Sequence, residues 1–296
     1  MPVAQISRSQ LIHRPVSEVY SLVRPFENWP KWSPWLLAAP GFELQFVENA
    51  YSWEGEAVGK GRMRVVDEVE NELIQYELTF LKPHRSKAEV SMHFAETADG
   101  TMVTWSMETK LPFFLFWLKG LLQNLIGADY ERGLLMLKDL AETGAVRSRV
   151  EVPGRGDCGF FVGVGIKRTA SMDDFTGQLK EDNEVVREYY PKGQPMTVYH
   201  KWCLKKRKVT YVTGVRLERM PGVVADGMKL FEFPGGEVFT VKHTGDFRHL
   251  GNGWAGAMMN IRGKKLKPDK KVMPFEVYED LESEDPVVRI SFPLKA

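Results

Sequence analysis

Apolar and polar positions alternate along most of the chain, and the period of the alternation changes in a fixed order. "VAQISRSQLI" (residues 3–12) alternates in twos and predicts a first strand. Pro15 then opens a stretch in which Val16, Val19, Tyr20 and Val23 fall on one helical face, and Pro25 and Pro30 stop it. Period two returns in "GFELQFVEN", "SWEGEAVGKGRMRVVDEVEN", "LIQYELTFLKP", "SKAEVSMHFAET" and "TMVTWSMETKL", with Ala98-Asp99-Gly100 as a hairpin turn. From Leu111 to about Glu142 the pattern is helical, and Leu134, Leu137 and Leu140 give an apolar stripe. Gly144 to Gly159 has no sustained period, so a linker is expected around 146–156, between domains 1–146 and 156–296.

The second half repeats a unit. "CGFFVGVGIKRTA" predicts a strand and "SMDDFTGQLKEDNEVVREYY" a helix, with Ser171 as N-cap and Asp174 at the capping-box position. "PMTVYHKWCL" and "KVTYVTGVRL" predict two more strands. "GMKLFEFPGGEVFTVKHTG", with an internal Pro-Gly-Gly turn, feeds the helix "DFRHLGNGWAGAMMNIRG", and "MPFEVYEDL" and "PVVRISFPLK" follow as strands. Each part reads strand, helix, strand, strand, which aligns Thr197 with Glu276 and Tyr199 with Tyr278. The expected class is α+β, and a duplicated unit of this kind packs as a pseudo-symmetric pair with a cleft between its parts.

Composition narrows the function. The chain has 296 residues, 43% hydrophobic and 27% charged, with a net charge of +1. Two domains fit that length, and the charge gives no electrostatic reason for direct nucleic-acid binding. The basic runs Lys205–Lys208 and Lys264–Lys271 read as solvated edges. Two cysteines, Cys158 and Cys203, form no disulfide framework, and no metal-ligand spacing occurs. No metal or cofactor is therefore expected. The most apolar run, "LPFFLFWLKGLLQNLIG", is broken by Lys119, Gln123 and Asn124 and is short for a membrane span. The N-terminus carries no signal-peptide pattern, so a cytoplasmic location is expected.

The candidate chemistry centres on "FEVY". Along a strand Glu276 and Tyr278 share one face, and Phe275 and Val277 the other. If the apolar faces of the last two strands both pack on the helices, Arg289 shares the face of Glu276. From the residues alone, an ion pair with Arg289 and a ligand contact are equally supported readings of Glu276. Tyr199 and Tyr211 fall on strands where they could line a cleft. Trp254 belongs to the stripe Phe247, Leu250, Trp254, Met258, Ile261, which serves core as readily as pocket. Gly163 and Gly165 leave room on the face of Phe161 for a close approach or a bulge. Trp29, Trp32 and Trp35 read as a structural plug. No catalytic residue is assigned, because no nucleophile–base pair, catalytic Cys–His pair or phosphate loop can be assembled.

Two families are resembled. "HRPVSEVYSLV", "WPKWSPW", "YSWEGEAVGKGRM", "GTMVTW" and "DYERGLLMLKDLAE" are similar to the SRPBCC superfamily, the START-like proteins that include polyketide cyclases and dehydrases, over residues 3–145. That resemblance implies a helix-grip fold: a curved antiparallel sheet around a long C-terminal helix, with an apolar cavity between. "VKHTGDFRHLGNGW" and "PFEVYEDLESEDPVVRISFPLK" resemble the GyrI-like small-molecule-binding domain, the effector-binding domain of bacterial transcription activators, over residues 156–296. In that family an acidic residue of the penultimate strand sits below an aromatic pocket and meets lipophilic cations. The resemblance places Glu276 in that role, with Tyr278, Trp254 and Tyr199 as walls. The activators' DNA-binding helix-turn-helix is replaced here by the SRPBCC-like part. The expected function is binding of small apolar or amphipathic molecules, cations among them, as a sensor or carrier. The alternative is an enzyme: a hydrolase using Glu276 as base, or a cyclase acting in the N-terminal cavity. A third reading is a protein-interaction adaptor that exposes Phe113–Trp117; no protein partner is indicated.

Overall fold

A computed structural model describes all residues except 1, 2, 40, 111–116, 118, 173, 204, 205 and 296. The chain divides into two compact units, the first holding Met1–Ser148 with Met258–Lys264 and the second Arg149–Ala257 with Lys265–Ala296. Both are α+β and each is built on an antiparallel sheet. No helix among the described residues is long and apolar enough to cross a membrane.

In the first unit the strands are β1 (Val3–Ile12), β2 (Glu43–Val47), β3 (Ala50–Gly55), β4 (Gly59–Val69), β5 (Leu73–Lys82), β6 (Ser86–Thr97) and β7 (Gly100–Lys110). They form one sheet in the order β1-β7-β6-β5-β4-β3-β2. Helices α1 (Val16–Val23) and α2 (Pro34–Ala38) flank a 3-10 turn at Phe26–Lys31, and α3 runs from Lys119 to Thr143. The start of the aromatic run, including Phe113–Phe116, lies outside the described residues.

Helix α3 forms because its apolar positions recur at helical spacing. Tyr130, Leu134, Leu137 and Leu140 are buried, and they belong to the same core as Trp105 of β7. Tyr130 stacks on Trp105 with centroids 4.2 Å apart and an interplanar angle of 11°. Trp29 and Trp32 are fully buried in this core and meet the edge of Trp105. The "WPKWSPW" segment is therefore structural. Trp29 Nε1 donates to Val23 O at 2.8 Å and Trp35 Nε1 to Asp129 Oδ2 at 3.0 Å.

The second unit contains β8 (Ser148–Cys158), β9 (Phe161–Ser171), β10 (Gln194–Cys203), β11 (Lys208–Leu217), β12 (Lys229–Phe233), β13 (Gly236–Gly245), β14 (Phe275–Glu279) and β15 (Val287–Pro293). Helix α4 (Phe175–Tyr189) follows β9, and α5 (Gly251–Gly263) follows β13. The sheet order is β12-β9-β11-β10-β14-β15-β13-β8. From the β10–β14 pair outward, each side shows the second, third and first strand of one repeat unit.

This sheet curls. β12 and β13 stand far apart in the strand order, yet only Pro234 and Gly235 connect Phe233 to Gly236. Three Cα steps reach at most about 11 Å, so those two strands are brought together. Phe161, Met196, Phe233, Val238 and Phe275 fill the concave side.

Two expectations need correction. The segment 146–156 is not a free linker, because β8 runs through it at the edge of the second sheet. Only Val150 of β8 is buried, so the alternation that marks a half-buried strand is missing. An edge strand also tolerates Pro153 and the left-handed Gly154. Ser171 does not cap α4 either. β9 extends through it, and Asp174 stands at the N-cap position without a side-chain cap bond.

A single methyl group tests the packing of α3. An added Cβ at Gly133 would lie 2.7 Å from Trp105 Cζ3 and 2.9 Å from Pro34 Cδ. Alanine in an exposed helix stabilises by about 1 kcal/mol over glycine. Gly133→Ala should do the reverse and cost about 1–3 kcal/mol through overpacking. Urea unfolding of the two proteins measures the sign.

Candidate functional site

Four residues singled out in the sequence meet at one point. Glu276 of β14 is 0% exposed and has no cation within ion-pair distance among the described residues. Tyr199 of β10 donates its hydroxyl proton to Glu276 Oε2 at 2.8 Å, and Tyr278 donates to the same oxygen at 2.6 Å. Trp254 Nε1 of α5 donates to the other oxygen. Three neutral aromatic donors thus hold a carboxylate with no counter-charge. Burial raises the pKa of Glu276, and these hydrogen bonds partly oppose the rise.

Local register explains the convergence. Thr197 pairs with Glu276 across β10 and β14, and Tyr199 follows Thr197 on the same face. The network continues inward. Tyr278 Oη lies 2.9 Å from Thr197 Oγ1, Thr197 Oγ1 lies 2.9 Å from Thr213 Oγ1, and Asn183 Nδ2 of α4 reaches Thr213 at 3.4 Å. Tyr278 has one proton, so while it donates to the carboxylate it can only accept from Thr197.

The Glu276–Arg289 ion pair does not occur. Glu276 stands opposite Ile290, while Arg289 stands opposite Val277 and donates to Glu279 at 2.6 Å. The faces run the other way: Ile290 and Phe292 of β15 share the face of Glu276, and Phe292 meets the Trp254 ring edge-on at 5.4 Å. Both faces of β14 are covered, since Phe275 is buried in the cluster on the opposite side.

One further ring joins this aromatic group, and no sequence pattern marks it. Trp202 is 44% exposed, stacks on Tyr199 at 5.3 Å and meets Trp254 at 6.2 Å. Strict alternation would put residues 199 and 202 on opposite faces. A β-bulge between Tyr199 and Lys201 brings them to one face. Phe175 of α4 closes the ring against Tyr199, Tyr211 and Trp202. Tyr211 is fully buried and donates to Asp182 at 3.3 Å, so it belongs to a neighbouring polar contact. His243 is fully buried, and burial lowers its pKa to about 4. Asp246 caps the turn at Phe247–His249 by accepting from Arg248 N.

The first unit holds a cavity of about 320 Å³ whose lining includes Trp53, Met63, Leu78, Phe80, Trp105 and Tyr130. The Trp105 and Trp32 indole N–H groups are buried and have no hydrogen-bond partner among the described residues. Among the described residues no cluster of His, Cys, Asp and Glu could hold a metal ion.

The chain is a two-domain protein, and each part matches a family model. Residues 3–142 match the family of polyketide cyclase / dehydrase and lipid transport, and residues 164–294 match that of the integron-associated effector binding protein. The chain joins a domain of the SRPBCC polyketide cyclase group to a GyrI-like effector-binding domain. No significant match is found among curated proteins. Among solved structures, protein CV1439 from Chromobacterium violaceum is similar at 19% identity, over 47% of this chain and 98% of that one, with a TM-score of 0.36. The Aha1 dimer from Colwellia psychrerythraea is similar at 15% identity, over 47% and 97%, with a TM-score of 0.37. The di-domain ARO/CYC StfQ from the steffimycin biosynthetic pathway is similar at 15% identity, over 47% and 51%, with a TM-score of 0.38.

The carboxylate network makes stability depend on pH with a definite sign. The folded pKa of Glu276 is raised. The unfolded chain therefore releases this proton first, and the contribution of Glu276 to stability falls as pH rises from its ordinary value through the folded one. Tyr278→Phe removes a donor to the ionised form and enlarges that fall. Near pH 8 it should cost about 1.5–3 kcal/mol, and in acid, where the carboxyl is neutral, about 1 kcal/mol. Denaturant titrations at the two pH values measure the difference. An equal cost at both would mean that Glu276 does not ionise in this range.

Proposed function

We propose that the protein binds small apolar or amphipathic molecules, and that the second domain takes a lipophilic cation over Glu276. The observation that carries this reading is the fully buried carboxylate held by neutral donors alone. Burying an anion without a counter-charge costs several kcal/mol. A cationic ligand would supply the missing charge, and the rings of Tyr199, Trp202 and Trp254 would face it with their π-systems. With Trp254 half-buried and Trp202 half-exposed, the ligand would enter past these two.

Architecture fits this reading. We take the second domain to be a pseudo-symmetric duplication whose axis passes between Thr197 and Glu276. The carboxylate would then lie where the two repeats meet, and Thr197 is its neutral counterpart. We take the first domain, ending near residue 146, to be a helix-grip domain that carries a neutral apolar guest between its sheet and α3. Neither domain needs chemistry of its own for these roles.

Thermal unfolding of wild type and Glu276→Gln against lipophilic cations and their neutral isosteres tests the proposal. A cation at 100 times its dissociation constant should stabilise wild type by about 2.7 kcal/mol. The substitution should abolish that shift, and neutral isosteres should give little. Equal shifts in both proteins would show that Glu276 is not the ligand's counter-charge.

A further inference from the structure

We propose that the mouth of the curled sheet in the second domain is a separate binding site, for an anion carried on a flat apolar body, with Arg216 as its principal donor. The recess has a volume of about 570 Å³ and is lined from β9, β10, β11 and β14. It lies on the sheet face opposite Glu276, because Val277 and Glu279 line it and alternate with Glu276 and Tyr278 along β14. Mouths of curled or closed sheets are common ligand sites.

The charges in the recess single out Arg216. Arg168, Arg289 and Arg155 of the same domain are each paired with a carboxylate, Asp182, Glu279 and Glu237 respectively. Arg216 has no carboxylate within ion-pair distance among the described residues. Its guanidinium sits 4.7 Å from the centre of the Phe161 ring, so a cation–π contact fixes the group without neutralising it. Its neighbour on β9 is Gly163, and the Phe231 ring fills the space a side chain there would take. Of the two acids in the lining, Glu279 is taken by Arg289, and Glu218 is exposed. Lys192 adds a second positive group, so the lining carries two bases and two acids, and one of those acids is paired with Arg289 outside it.

A planar guanidinium with free N–H groups matches a carboxylate or phosphate through two parallel hydrogen bonds. Phe160, 58% exposed in the lining of the recess, offers a ring face to the ligand's apolar body. The charge preference is opposite to that at Glu276, so the two sites would take different molecules.

Isothermal titration of the full-length protein with 1-naphthoate and 1-naphthyl phosphate, against neutral 1-naphthamide, tests the site. At least one anion should bind wild type, and the pair of anions shows whether carboxylate or phosphate is preferred. The amide should bind weakly or not at all. Arg216→Met should weaken the anion about tenfold or more, whereas Glu276→Gln should leave it unchanged. If Arg216→Met fails to fold, Arg216→Lys takes its place: it keeps the charge, loses the fork and should bind severalfold more weakly. Binding of neither anion to wild type overturns the proposal. So does equal binding of the amide, or unchanged affinity in the variant that folds, since Arg216 would then only cover Phe161.

Discussion

A carboxylate buried without a counter-charge is the constraint around which the second domain is arranged. Glu276 is inaccessible to water, and its neighbours are two tyrosines and a tryptophan rather than a lysine or arginine. Each donor comes with a structural requirement. Tyr199 needs the β10–β14 register, Tyr278 needs the alternation of β14, and Trp254 needs α5 laid across that face. A one-residue slip of β14 would turn the carboxylate to the phenylalanine side. The same hydrogen bonds that make the burial tolerable therefore also specify the pairing.

Donors of this kind stabilise the ionised form without cancelling its charge. A carboxylate that needed only structural stability would be better served by a guanidinium, as Asp182 is by Arg168 through two bonds of 2.6 Å in the same domain. Replacing the whole Glu276 network with apolar residues of similar volume would cost little by the usual comparison of buried polar groups with hydrocarbon.

Much of the architecture was legible because it rests on period. The stripe Leu134, Leu137, Leu140 marked α3, and the repeated order of strand and helix marked the second domain. The four residues assigned to the pocket could be named from the "FEVY" strand and its counterparts in the resembled family. What alternation could not give were the breaks in it. The bulge after Tyr199 put Trp202 on the face of Tyr199, and β8 hid as a linker because an edge strand buries almost nothing. The misplacement of Arg289 had another cause. Val288, Ile290 and Phe292 looked like a core-facing row, and they are one. Their core, however, lies on the carboxylate's side, where apolar residues surround the polar network instead of being segregated from it. A buried polar group that shares its face with core residues defeats a face assignment made by hydropathy.

The curl of the second sheet adds a consequence that no local pattern carries. A flat sheet would leave its second face to solvent, with no need for aromatic residues there. Short connections at Gly159-Phe160 and Pro234-Gly235 instead tie strands far apart in the order, and the phenylalanines fill the concave side. Side chains near the ends of the strands then surround a recess, and Arg216 is among them because β11 ends there. One sheet thus separates two environments a single strand apart: an anion screened by aromatic donors, and a cation resting on an aromatic face. Strand alternation keeps them apart by assigning successive residues of β14 to one side or the other.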